Sequence, residues 1–141
     1  MIKMRYMLPA LGLLAGLASP ALAGPAPITG RWLATDPKGS IIVTIAPCGS
    51  ALCGTVTEQV SGTKGQRDIN NPDPKLRSRP ITGIRLISGM VADGTQWRGQ
   101  IYDPTRGKTF KSFAALNPNG TLNLKGCWGF ICQTRVWTRA R

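Results

Sequence analysis

From Arg31 onward the chain is a series of short β-prone runs in which apolar and polar residues tend to alternate, with no stretch of helical period. The runs are Arg31–Thr35, Ser40–Ala46, Cys53–Val60, Ile81–Ser88, Gln96–Tyr102, Lys108–Leu116, Thr121–Cys127 and Ile131–Thr138. Between them sit Asp36-Pro37-Lys38-Gly39, Ala92-Asp93-Gly94, Asp103-Pro104-Thr105-Arg106-Gly107 and Asn117-Pro118-Asn119-Gly120. Proline presets φ in such turns, Asp and Asn bond their own backbone, and glycine accepts positive φ. Short strands joined by hairpin turns predict an antiparallel sandwich or barrel.

The alternation also sorts faces. Leu122, Leu124 and Gly126 oppose Thr121, Asn123 and Lys125, which describes a half-buried strand. Phe110, Ser112, Ala114 and Leu116 oppose Thr109, Lys111, Phe113 and Ala115, and this inward row is light. Small inward residues leave room for neighbouring side chains or for a ligand. A barrel of about eight strands is either just filled or holds one small molecule. Trp97 and Ile101 share a face with Gly99, so Trp97, Ile101, Phe110 and Leu124 are the candidate lumen residues.

One segment interrupts the series. Residues 61–80 form a long polar loop containing Asn70-Asn71-Pro72-Asp73-Pro74-Lys75-Leu76-Arg77. Loops of this length are often functional or mobile. Here a solvated surface crossover is favoured over a lid on a barrel mouth. Asp73 as N-cap and Pro74 at the first position predict a single helical turn through Lys75–Arg77.

The first 23 residues change the setting. Lys3 and Arg5 precede an apolar stretch from Met7 to Leu17, and Ala21-Leu22-Ala23 supplies small residues at a cleavage point. This is the order of a secretory signal peptide, and the apolar run is too short to span a bilayer. The mature chain is therefore expected to be residues 24–141, one β domain, periplasmic or secreted, with no transmembrane segment. Its basic balance is strong: 18 Lys and Arg stand against 6 Asp and Glu, for a net charge of +12. Two of those positive charges leave with the signal. The remainder favours anionic envelope polymers or acidic lipid headgroups as partners, although a charge that simply aids solubility is the preferred reading. No nucleic-acid motif accompanies the charge, so nucleic acid is not expected.

Four cysteines repeat one spacing, Cys48-Gly-Ser-Ala-Leu-Cys53 and Cys127-Trp-Gly-Phe-Ile-Cys132. An even count in an exported small domain indicates disulfides. Each pair flanks a tight connection between strands, where facing residues come within bridging distance. Cys48–Cys53 and Cys127–Cys132 are therefore preferred over crossed pairing, which would restrain more chain but needs two distant turns to meet. A four-thiolate zinc site usually has tighter spacing, and no metal is expected.

The chain contains no histidine, which excludes Ser-His, Cys-His and His-metal chemistry. Asp36, Asp73, Asp93 and Asp103 fall in turns, leaving Glu58 and Asp68 without an evident structural task. Glu58 shares a face with Val56 and Val60. It would be a perturbed buried acid if inward and an ordinary surface acid if outward, and the outward case is favoured. No Gly-x-Ser-x-Gly elbow is present. The expectation is a binding protein without cofactor rather than an enzyme.

Several segments, in order, carry a resemblance. They are Gly30-Arg31-Trp32, Cys48-Gly49 with Cys53-Gly54, Asn71-Pro72-Asp73-Pro74, Pro80–Gly83, Ile101-Tyr102-Asp103-Pro104 with Gly107-Lys108-Thr109, and Trp137-Thr138-Arg139. Together they resemble the bacterial family known as domain of unknown function 2147. The resemblance implies a periplasmic, lipocalin-like, antiparallel β-barrel with no assigned activity. It also implies an end closure in which Trp32 packs under Arg139, a structural pair. The reading that follows is a monomeric barrel for a small, mainly apolar molecule. The alternative is a basic module that docks an anionic envelope component.

Overall fold

Eight antiparallel strands close on themselves in chain order, each paired with the one before it, and β8 returns to β1. The computed structural model describes residues 24–141 apart from 64, together with residues 10, 12 and 16. The expected signal, residues 1–23, lies outside the described residues except for those three. The strands are β1 Gly30–Asp36, β2 Gly39–Cys48, β3 Ala51–Gln59, β4 Arg85–Asp93, β5 Gln96–Asp103, β6 Lys108–Leu116, β7 Leu122–Trp128 and β8 Ile131–Arg139. Among the described residues no helix is long and apolar enough to cross a membrane.

Turn chemistry sets most of these boundaries. Asp36 Oδ1 accepts from the amides of Lys38 (2.7 Å) and Gly39 (3.1 Å), which folds β1 onto β2. Asp103 Oδ1 does the same for Thr105, and Asn119 Oδ1 for Thr121. β4 begins at Arg85 rather than Ile81. Ile81–Ile84 instead closes a turn, with the Ile84 amide on the Ile81 carbonyl (3.1 Å) and the Gly83 amide on Val56 (2.7 Å). Both isoleucines are nonetheless buried, so the apolar pattern was real while the backbone was not yet a strand.

One end of the barrel is solid. Ile28, Trp32, Val43, Ile45, Ile87, Met90 and Leu122 are all but fully buried there or in the middle of the barrel. Each such side chain stabilises the fold by about 1.5–3 kcal/mol. The stretch before β1 crosses this end as a strap. Its carbonyls accept from Trp97 Nε1 at Ala26 (3.0 Å), Trp32 Nε1 at Ile28 (2.9 Å) and Arg139 Nη1 at Thr29 (2.8 Å). The Arg139 guanidinium lies 4.0 Å from the centre of the Trp32 ring. Gly30 has φ +127°, and a Cβ there would collide with Arg139 Nη1, so glycine makes room for the stacked cation.

The disulfides are Cys48–Cys53 and Cys127–Cys132. The first staples the β2–β3 hairpin at the solid end. The second staples β7–β8 at the opposite end, where Cys127 and Cys132 are direct cross-strand partners.

The closing contact yields a double-mutant prediction. Trp32→Ala should cost roughly 3–5 kcal/mol in denaturant unfolding. Arg139→Lys should recover only part of the loss from Arg139→Ala, because the planar stack is absent. Trp32 and Arg139 should show a coupling of about 0.5–2 kcal/mol. Arg141, whose carbonyl is held by Arg31, should show no such coupling. Strictly additive losses for Trp32 and Arg139 would mean that the stack does not close the barrel.

Candidate functional site

Above the packed half the barrel is hollow. A cavity of about 280 Å³ opens at the end carrying the β1–β2, β3–β4, β5–β6 and β7–β8 connections. Its wall includes Ala34, Ile41, Leu86, Ile101, Phe110, Leu124 and Trp137, and its polar positions include Thr35, Gln66, Gln133 and Arg135. Apolar walls with a few polar groups describe a small-molecule site.

Strand alternation explains who lines it. Leu124 pairs directly with Arg135, and Gly126 with Gln133, so these side chains share the inward face with Trp137. Gly126 leaves open space: a Cβ there would meet only Ile101 Cγ2 and Phe110 Cβ, at 3.6 and 3.7 Å. The seam between β1 and β8 also contributes. Their register is confined to Trp32↔Arg139 and Leu33↔Thr138, both at the solid end. Towards the mouth the two strands part, and both flanks border the cavity, Ala34–Asp36 from β1 and Ile131, Gln133, Arg135 and Trp137 from β8.

Of the four candidate lumen residues, Ile101, Phe110 and Leu124 line this cavity. Trp97 does not. It lies on β5 six residues before the β5–β6 turn, at the solid end, with its indole bound to the strap. Alternation gives the face of a residue but not its height in the barrel, and Trp97 has the right face at the wrong height. Ser112, between Gly99 and Gly126 in register, is fully buried, and its hydroxyl has no hydrogen-bond partner among the described residues.

The long crossover from β3 to β4 forms one side of the mouth through Thr63, Gln66 and Ile81. The helical turn predicted from Asp73-Pro74 forms as a 3₁₀ turn, Pro74–Leu76, with the Asp73 carboxylate accepting from the Lys75 amide. Asp68 does have a structural task, contrary to the sequence expectation. Its carboxylate is wholly buried and accepts from Tyr102 Oη (2.6 Å), Asn71 Nδ2 (2.8 Å) and Arg79 Nε (2.9 Å). A buried charge needs such company, and these bonds knit the crossover onto β5. Asn70 adds a tie to the β5–β6 turn through the Thr105 carbonyl (3.0 Å). Glu58 faces outward and is exposed, 3.3 Å from Arg31. Nothing local in the sequence marked Asp68. Its partners lie 3, 11 and 34 residues away.

Tyr102 borders the cavity beside this cluster. Burial, the hydrogen bond to Asp68 and the Asp68 charge push its phenol up to about 12.

Comparison with known proteins agrees with this architecture. The family model described as "Uncharacterized protein conserved in bacteria (DUF2147)" matches residues 30–139, and the chain belongs to that family. Among solved structures, protein HP1028 from the human pathogen Helicobacter pylori, which belongs to the lipocalin family, is similar with a TM-score of 0.72. The identity is 26%, covering 82% of this chain and 84% of that one. A search of the curated proteins finds no match.

The Asp68 cluster predicts an alkaline titration. In a chain that begins at Gly24, Tyr102 is the sole tyrosine, the other being Tyr6. Its tyrosinate absorbance should appear with a midpoint of about 12. Asp68→Asn should lower that midpoint, since the carboxylate's hydrogen bond and charge both hold the phenol protonated. Folding favours the protonated phenol. The stability it contributes is therefore complete below about 10 and lost as the pH rises through about 12. A midpoint near 10 in the unaltered protein would contradict the cluster.

Proposed function

Starting from a member of the DUF2147 family with a lipocalin-like barrel, we propose that this chain is an exported, non-enzymatic carrier of a small, mainly apolar molecule. The observation that supports it most is the half-filled barrel. One end is packed and strapped, while the other holds a cavity of about 280 Å³ with an apolar wall and a polar mouth. Such a volume suits a short acyl chain or a compact ring system. Arg135 enters the lining from β8, and no ion pair engages it among the described residues. The ligand's polar end would therefore lie towards the mouth, beside Arg135 and Gln133.

Binding rather than catalysis is supported by what the acids do. Asp36 and Asp73 accept from turn amides, Asp103 from a turn amide and a side chain, Asp68 is committed to the crossover, and Asp93 and Glu58 pair with arginines. Asp36 and Asp103 border the cavity mouth, but each carboxylate is engaged in its own turn, whereas acid–base hydrolysis needs a pair with room to act. Two disulfides fit an oxidising compartment, and export by residues 1–23 belongs to the same reading.

A neutral naphthylamine dye titrated into the mature chain tests the lumen. Gly126→Leu fills the space between Ile101 and Phe110 and should weaken dye binding by about 10-fold or more, which corresponds to 1.4 kcal/mol or more. Trp97→Phe, at the solid end, should leave affinity unchanged, and added salt should have little effect. Equal affinity in Gly126→Leu would place the dye outside the barrel and end the carrier reading.

A further inference from the structure

The β7–β8 turn is unlike any other part of the surface. Trp128, Phe130 and Ile131 are 61%, 105% and 74% exposed, three large apolar side chains within four residues. Large exposed apolar side chains also include Ile69 and Leu76 of the crossover, so most of them gather at the mouth end. The turn is also held outward. Cys127–Cys132 locks the hairpin immediately behind it, and Gly129 takes the positive φ of +59° that the tight reversal requires. A stapled turn of this kind has no path by which to fold Phe130 back into the barrel.

Charge surrounds the tip on one pattern. Asp103 is the last acid in the sequence. From Pro104 to Arg141 the chain carries Arg106, Lys108, Lys111, Lys125, Arg135, Arg139 and Arg141 and no Asp or Glu. Lys108 Nζ lies 5.4 Å from the centre of the Trp128 ring. Lys111 and Lys125 flank Phe113 on the outer wall, at 5.4 and 5.0 Å. Asp103 itself is paired with Arg106 at 3.7 Å.

We propose that the Trp128–Ile131 turn is a docking tip that inserts into an anionic phospholipid surface, with the cations of β6 and β7 against the headgroups. An indole beside two fully apolar side chains suits the boundary between headgroups and acyl chains. Lysines behind such a tip add attraction to anionic lipid. A protein partner fits less well, because a four-residue convex turn falls short of the roughly 1,000 Å² that a specific interface needs. A second copy would bring two acid-free cationic walls together. Trp128 and Ile131 also line the cavity, so the docked barrel would turn its mouth to the bilayer. Docking stands without the carrier reading. Only the passage of a ligand from bilayer to lumen rests on it.

The test is co-sedimentation of the mature chain with phosphatidylcholine vesicles, with and without phosphatidylglycerol. Binding should require the anionic lipid and weaken as salt rises. Trp128, the most exposed tryptophan, should be quenched by brominated acyl chains. Phe130→Ser should lower partitioning by about 10-fold, as expected for removing one inserted aromatic side chain. Lys108→Gln with Lys125→Gln should lower it by roughly 10-fold or more, while Val91→Ser, on β4, should change nothing. Phe130 does not line the cavity, so dye binding in the absence of vesicles should be unchanged in Phe130→Ser. Loss of dye binding in the unaltered protein would sink the carrier reading and leave docking intact. Docking is overturned by equal binding to both vesicle types, by Phe130→Ser binding as well as the unaltered chain, or by absence of quenching. A dimer in sedimentation that Phe130→Ser dissolves would also overturn it, by assigning the tip to a second copy.

Discussion

The stacking of Arg139 on Trp32 is the contact on which the barrel's shape depends. A sheet becomes a barrel only if its last strand meets its first, and here that meeting is short: two register pairs, Trp32↔Arg139 and Leu33↔Thr138. The guanidinium covers the indole face and donates to Thr29, while the indole N–H donates to Ile28. One cation and one ring thus secure β8, β1 and the strap together, and the strap seals the end. Gly30 is part of the same device, because any side chain there would occupy the place of the guanidinium. With closure concentrated at one end, the other end is free to part.

That asymmetry runs through the whole molecule. The packed half holds the fully buried Trp32, Ile28, Ile45 and Met90. The mouth half has an apolar wall around open space, bordered by a crossover whose own order comes from a buried polar cluster. Gly126 and Ala34 leave room in the upper barrel, among larger apolar neighbours such as Phe110 and Ile101. The two disulfides sit at opposite ends and serve different ends of the chain's design. Cys48–Cys53 ties a hairpin at the floor, and Cys127–Cys132 stiffens an exposed turn.

Much of this was legible in the sequence, for a physical reason. Hairpins are local: Asp36, Asp103 and Asn119 bond amides two or three residues away, so their turns could be read directly. The two cysteine spacings are local in the same sense. What escaped was long-range. Asp68 looked idle because Tyr102 reaches it only after β4 and β5 have been placed, and Arg79 only once the crossover has folded back on itself. Trp97 was assigned to the lumen because alternation fixes a side chain's face, whereas its height depends on which end the strap covers. The run beginning at Ile81 was apolar because it is buried, and burial alone does not make a strand.

The parted seam poses a problem that the sequence of β8 answers. Unpaired strand edges invite pairing with another chain. Along the stretch of β8 that leaves β1, exposed apolar Ile131 and Val136 flank polar Gln133, Thr134 and Arg135, and Arg135 is charged. On the β1 side the free stretch is short and ends at Asp36, whose carboxylate is already engaged in the turn to Gly39. Arg135 points into the lumen, and an inward-pointing charge at such an edge works against pairing with a second copy. With closure concentrated at Trp32↔Arg139 and Leu33↔Thr138, the near edge of β8 is guarded by an inward charge rather than by ladder hydrogen bonds.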